Sequence, residues 1–203
     1  MKSAMFTEIK TTINPSRRNT LQKCLSAVAI STGIVPIASN PRNALAQAMP
    51  AVTTHLPNAK LVGQARLRVL ILIYDAGLYA PAGFNAANPY ATPIALEVNP
   101  ARAFRASTVV SRLETELQRQ KNLSETQIAK YVAAFSAVMP AMEENVPLTG
   151  VYQPKQGWTL FHKGVAIGKW ADDTFARAFF DIWLGADTSQ PAVRQSLINS
   201  AIS

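Results

Sequence analysis

Cysteine is nearly absent from this chain: Cys24 is the only one in 203 residues. It stands at the start of an apolar run, whereas a lipoprotein acceptor cysteine follows one, so lipidation is not expected. Beyond residue 46 there is no thiol at all, which excludes a disulfide framework, a thiol nucleophile and a Cys-ligated zinc from that part. Histidine is almost as scarce. His55 and His162 are far apart and fall in unrelated contexts, so neither a histidine triad nor a metal site is expected. Glycine is thin as well, and Gly164-Val-Ala-Ile-Gly168 is too sparse to cradle a phosphate. Glu143 and Glu144 are adjacent and would point apart on a helix, while Asp172 and Asp173 suit a helix start better than acid catalysis. No catalytic residue, metal or cofactor is therefore assigned.

Positive charge is present but unevenly placed. Of the formal net charge of +8, residues 1–46 hold +5: six Lys/Arg (Lys2, Lys10, Arg17, Arg18, Lys23, Arg42) against Glu8. The remaining +3 is ordinary for a folded domain, so the dense basic surface that tracks nucleic-acid phosphates is missing. What the first 46 residues do contain is a targeting pattern: Arg17-Arg18, then the run CLSAVAISTGIVPIA, then Ala44-Leu45-Ala46. The run is short of the roughly 20 apolar residues a spanning helix needs, and Pro36 breaks it. A cleaved signal over residues 1–46 is expected, with cleavage after Ala46 or Ala48, followed by an irregular lead-in over 47–59 and one domain over 60–199. The arginine pair with Leu21 fits a twin-arginine signal, though Thr20 sits where that signal prefers an apolar residue. An ordinary secretory signal gives the same outcome, a periplasmic or secreted protein with no stable membrane span once the signal is removed.

Within the domain, period-2 alternation marks strands. Leu61–Leu78 should be one long strand or a tight hairpin. Along a single strand Leu67, Val69, Ile71 and Ile73 share one face, while Arg66, Arg68, Leu70, Leu72 and Tyr74 share the other. Pro81–Pro93 reads as a loop and Ile94–Val98 as a short strand. Helical spacing of Ala106, Val109/Val110, Leu113 and Leu117 predicts a helix whose charged residues, Arg112 among them, lie largely elsewhere. Ser124-Glu-Thr-Gln127 is a capping box opening a second helix with a stripe of Ile128, Tyr131, Phe135 and Met139. Leu148–Tyr152 is a strand, and Trp158–His162 with Val165–Trp170 a hairpin turning at Lys163-Gly164. Asp172 or Asp173 caps a third helix with Phe175, Phe179, Ile182 and Trp183 on its core face, and Pro191 opens a last one. Strands, two helices, strands, then helices describe an α+β fold: an antiparallel β-sheet with helices packed on one face, an open-faced sandwich.

Two features bear on function. The aromatic residues from Trp158 to Trp183 form either a plain core or the wall of an apolar pocket. Arg66 heads a strand face that continues with Leu70 and Leu72. Its guanidinium either faces a hydrophobic cavity, where it needs an anionic partner, or packs its stem and keeps its head in water.

The segments Val62–Tyr79 (VGQARLRVLILIYDAGLY) and 148–198 resemble bacterial chalcone isomerase-like proteins. The features that carry this are the YDAxLY strand end, the FxxGxxxG hairpin, the Asp-x-x-Phe-Ala helix, the Ile-Trp-Leu-Gly turn and the Thr-Ser-x-Pro-x-x-Arg close. The resemblance implies the same sheet-and-helix fold. Plant members of this fold cyclise chalcones around an arginine, a tyrosine, an asparagine and threonines, and other members bind fatty acids without catalysis. Arg66 corresponds to the family arginine, with Arg68 as the alternative. Tyr74 stands where the first threonine is expected, Lys121/Asn122 near the tyrosine and Ile182 near the late threonine, so the catalytic set is not matched. The implied function is an exported, non-catalytic protein binding a small apolar carboxylate such as a fatty acid. Arg66 would stand at the mouth of the ligand site, with Leu70, Leu72 and Tyr74 lining it. The alternatives are an isomerase (intramolecular lyase) acting on a phenolic ligand, and an envelope protein-interaction module.

The signal pattern yields the first expected outcome. N-terminal sequencing of the endogenous protein should find Gln47 or Met49 first and the protein in the periplasm, whereas an intact Met1 in the cytoplasm would refute cleavage.

Overall fold

The computed structural model describes residues 50–69 and 72–198 of the chain. The targeting segment expected over residues 1–46 lies outside them. Six strands form one antiparallel sheet in sequence order: β1 (Lys60–Val69), β2 (Leu72–Ala80), β3 (Ile94–Pro100), β4 (Leu148–Gln153), β5 (Gly157–His162) and β6 (Val165–Trp170). Helices α2 (Ala106–Gln118), α3 (Glu125–Ser136), α4 (Asp173–Leu184) and α5 (Pro191–Ile198) contribute their apolar sides to the large core on one face of the sheet. This is the α+β architecture that the alternation and helical spacing predict.

Each helix forms for a local reason. The α3 capping box is complete: the Gln127 N–H donates to Ser124 Oγ at 3.3 Å, and Gln127 Oε1 accepts from the Ser124 N–H at 3.0 Å. Two otherwise unpaired donors of the first turn are satisfied by one pair of side chains. At α4, Asp172 Oδ1 accepts from the Phe175 N–H at 3.0 Å. The apolar face of α4 then meets the sheet through its aromatics. Trp158 on β5 is the centre of this packing, stacked between Trp170 at 4.6 Å and Phe179 at 4.2 Å, with Phe175 edge-on. Gly168 makes room for it, since a methyl there would come within 2.2 Å of the Trp170 indole. Near the ends of α4, the Tyr152 hydroxyl donates to Asp173, which also pairs with Arg177, and the Tyr90 hydroxyl donates to Asp181. The latter bond ties the 81–93 loop to the helix layer.

The lead-in is more regular than expected. Pro50–His55 is a short helix, α1. Proline suits the first helical position, where its missing N–H would be unpaired anyway. Ala51, Val52 and Leu56 are buried with Tyr79, Ala95, Val151 and Phe161 in a second apolar cluster, and His55 stacks on Phe161 at 4.3 Å. Register places Ala95 and Val151 opposite each other, one residue out of step with the core-facing Leu96 and Gly150. So α1 covers the sheet face that the other helices leave open.

Residues 61–78 are a hairpin rather than one strand, and this changes which side chains share a face. Val69 pairs with Leu72, Arg68 with Ile73, Leu67 with Tyr74 and Arg66 with Asp75. Directly paired residues project to the same side of a sheet. Tyr74 therefore joins Leu67, which is 3% exposed, on the core face, and Arg66 joins Asp75 on the other. The shared face of Arg66 and Tyr74 expected from a single strand does not exist, because reversing the chain between Val69 and Leu72 resets the alternation.

Over the core face of β1, the backbone of α5 lies so close that a methyl on Gly63 would come within 2.4 Å of the carbonyl oxygens of Ser196 and Leu197. Among the described residues nothing pairs with the far side of β6, whose Val165 is 65% exposed.

One buried group in this fold titrates unusually. Glu97, on the α1 side of β3, is fully buried between Gly77 and Thr149, and neither carboxylate oxygen has a hydrogen bond of normal geometry. Burial pushes its carboxyl up to about 8, against 4.5 in an exposed glutamate, and the nearby Thr149 hydroxyl offsets only part of this. Between these values the folded chain holds a proton that the unfolded chain has lost, so stability falls as pH rises from 4.5 towards 8 and levels off above it. Glu97→Gln should remove this slope, worth at most about 1.4 kcal/mol per pH unit. Urea unfolding at several pH values should show the variant more stable than wild type at alkaline pH and equal to it near pH 4. Parallel curves for the two proteins would rule the assignment out.

Candidate functional site

Between the core face of the sheet and its helices lies a cavity of about 90 Å³. A single water needs only about 10–15 Å³ of such space, so the cavity is large enough for an organic group. Its floor is formed by Leu67, Leu96, Leu148 and Leu160 from four strands, with Gly150 contributing no side chain between them. Leu113 of α2, Phe135 of α3 and Phe179 of α4 form its roof. All of these are buried, and the interior is apolar throughout.

The polar groups gather at the half-buried rim. Tyr74, on β2, accepts a hydrogen bond from the Trp183 indole N–H at 3.0 Å. Burial pushes the Tyr74 phenol up to about 12, with the Trp183 bond and the Arg112 charge opposing the shift. It is thus a hydrogen-bond donor at neutral pH, and not a base. Arg112 forms a short ion pair with Glu116 one helical turn on, and its Nη2 also donates to Ser189 Oγ at 3.1 Å. The Ser189 hydroxyl donates to Glu116 Oε1 at 2.7 Å. Glu116 is only 3% exposed, so this cation and hydroxyl satisfy a carboxylate that water does not reach. The three residues join α2 to the α4–α5 connection across the rim.

Of the residues singled out from the sequence, Tyr74 lines this cavity and Arg66 does not. Arg66 is 46% exposed, and Asp75 holds its guanidinium bidentately at 2.6 and 2.7 Å. Leu70 lies outside the described residues, and of Leu72 only its place in β2, opposite Val69, is described. Arg68 is exposed on the same side as Arg66. Of the aromatic residues, Phe179 and Trp183 border the cavity, whereas Trp158, Trp170, Phe175 and Phe180 belong to the packed core. Arg112, Glu116 and Ser189 were missed. The signal was available: Glu116 falls on the same helical stripe as Leu113 and Leu117, and a carboxylate there needs a cation within reach.

A family model described as chalcone isomerase-like matches residues 47–199. The chain belongs to the chalcone isomerase-like family. The crystal structure of a fatty-acid binding protein from Arabidopsis thaliana superposes with a TM-score of 0.55 at 14% identity, covering 71% of this chain and 89% of that one. At that identity the likeness is one of fold. No curated protein matches this chalcone isomerase-like chain significantly in sequence. Among the described residues no group of His, Cys, Asp and Glu is arranged to hold a metal, and no helix is long and apolar enough to cross a membrane.

The two arginines should respond differently to removal. Arg112→Met strands a buried carboxylate and should cost about 3 kcal/mol of unfolding free energy. Arg66→Ala breaks an exposed pair and should cost under about 1 kcal/mol. Equal losses in chemical denaturation would contradict the burial of Glu116.

Proposed function

We propose that this chain is an exported binding protein of the chalcone isomerase-like family, and that it carries a small apolar ligand of the fatty-acid class without transforming it. The observation that carries this reading is the cavity itself: an apolar interior large enough for an organic group, with hydrogen-bonding side chains confined to one rim. Such a division suits a hydrocarbon chain that ends in one polar head. The fatty-acid binding protein with the same fold supports the class, and the signal pattern of residues 1–46 supports export.

The lack of a base beside the cavity favours carriage over catalysis. Tyr74 holds its proton and Glu116 is engaged by Arg112 and Ser189, so no described lining residue is poised to accept a proton from a substrate. An interaction module without a small ligand would instead be expected to fill this space with side chains.

Native mass spectrometry of protein purified without denaturation should reveal a co-purifying lipid as added mass. Leu113→Trp, which fills the space between α2 and the sheet, should lose that mass while remaining folded. The absorbance of a hydroxychalcone should decay no faster with the protein than without it. Stereospecific turnover, or an empty protein that neither a long-chain acid nor a long-chain alcohol fills on addition, would refute the reading.

A further inference from the structure

Accepting that the cavity is a ligand site, we infer that it takes an uncharged head, a hydroxyl before all others, and discriminates against an ionised carboxylate. Arg112 is the one cationic side chain lining the described cavity, and its charge is already matched by Glu116. A carboxylate entering here must share one guanidinium with a resident carboxylate that is 3% exposed and cannot turn out to water. Like charges sharing a desolvated site cannot both ionise without a large penalty. Arg119 brings a second positive charge to 4.0 Å from Glu116 Oε2, but its side chain is half exposed, outside the cavity lining and screened by solvent.

Although the charge is matched, hydrogen-bonding capacity remains. Nη2 of Arg112 is committed to Glu116 and Ser189, and the guanidinium carries further N–H donors besides those on Nη2. The Tyr74 hydroxyl accepts from Trp183, and no described residue accepts its proton. Glu116 itself lines the cavity and can accept one more hydrogen bond. A hydroxyl can accept from Tyr74 or Arg112 and donate to Glu116, completing both sides of the rim. A carboxylate can only accept, and it faces Glu116 with nothing to donate. An arginine in a cavity ordinarily suggests an acid-binding site; with its carboxylate one helical turn away, this one acts as a neutral polar surface.

Isothermal titration calorimetry with decan-1-ol and decanoate, two probes of equal chain length, tests this at pH 8. Wild-type protein should bind decanol at least about tenfold more tightly than decanoate. Because an alcohol partitions more readily into any apolar space, the deciding measurement is Glu116→Gln. This variant should gain about tenfold for decanoate while decanol, whose hydroxyl donates to Glu116, binds more weakly, and this opposite movement splits charge selection from a structural effect that would move both together. A second readout needs no variant. Decanoate binding to wild type, measured in buffers of different ionisation enthalpy, should take up close to one proton per ligand. Tight decanoate binding without proton uptake, or a Glu116→Gln affinity for decanoate equal to wild type, would overturn the inference. If neither probe binds, the ligand-site reading itself falls.

Discussion

The helix layer depends on a carboxylate that cannot reach water. Glu116 sits on the buried stripe of α2 between Leu113 and Leu117, and its charge must be answered from inside the protein. Arg112 answers it from the preceding turn, and Ser189 from the connection that follows α4. Since an unanswered charge in this place would be far more costly than any single apolar contact, α2 and the α4–α5 connection are held in one arrangement. That arrangement sets the rim of the cavity and brings Arg112 to it, while Trp183, one helical turn along from Phe179, brings its indole to Tyr74.

Glu97 shows the opposite treatment of the same chemical group. It too is buried, but on the other face of the sheet, with Thr149 and Gly77 beside it and no ion pair among the described residues. The fold accommodates it by keeping its proton on, as burial in a low dielectric favours. One buried glutamate is thus met by a cation and the other kept neutral by isolation. Only the first borders the cavity.

The fold was largely legible in the sequence because its signals are local. Period-2 runs, the Ser124–Gln127 capping box, Asp172 before an aromatic helix and the Lys163-Gly164 turn each report on a few neighbouring residues. The site was legible only in part, because its geometry depends on parity and on distant contacts. Treating residues 66–74 as one strand put Arg66 and Tyr74 together, and the chain reversal put them on opposite faces. Tyr74 reached the cavity all the same. Arg112 looked like a solvent-facing residue of an amphipathic helix, since its charge is at odds with the stripe. Nothing within α2 alone announces that Ser189, 73 residues beyond Glu116, completes the cluster. The lead-in went unrecognised as a helix because six residues give too little periodicity, and its burial depends on Val151 and Phe161 much later in the chain.

The open side of β6 bears on how copies of the protein tolerate one another. A strand at the margin of a sheet presents a row of unused backbone donors and acceptors, a template on which a second chain can add. At the β1 margin, α5 packs closely over the core face of the strand. At the β6 margin the exposed residues include Val165, and the safeguards are brevity and charge: the strand is six residues long and carries Lys169, with Lys163 at its entry. Two strands of this kind brought edge to edge in parallel register would oppose Lys163 to Lys163 and Lys169 to Lys169, and that repulsion discourages the growth of a continuous parallel intermolecular sheet.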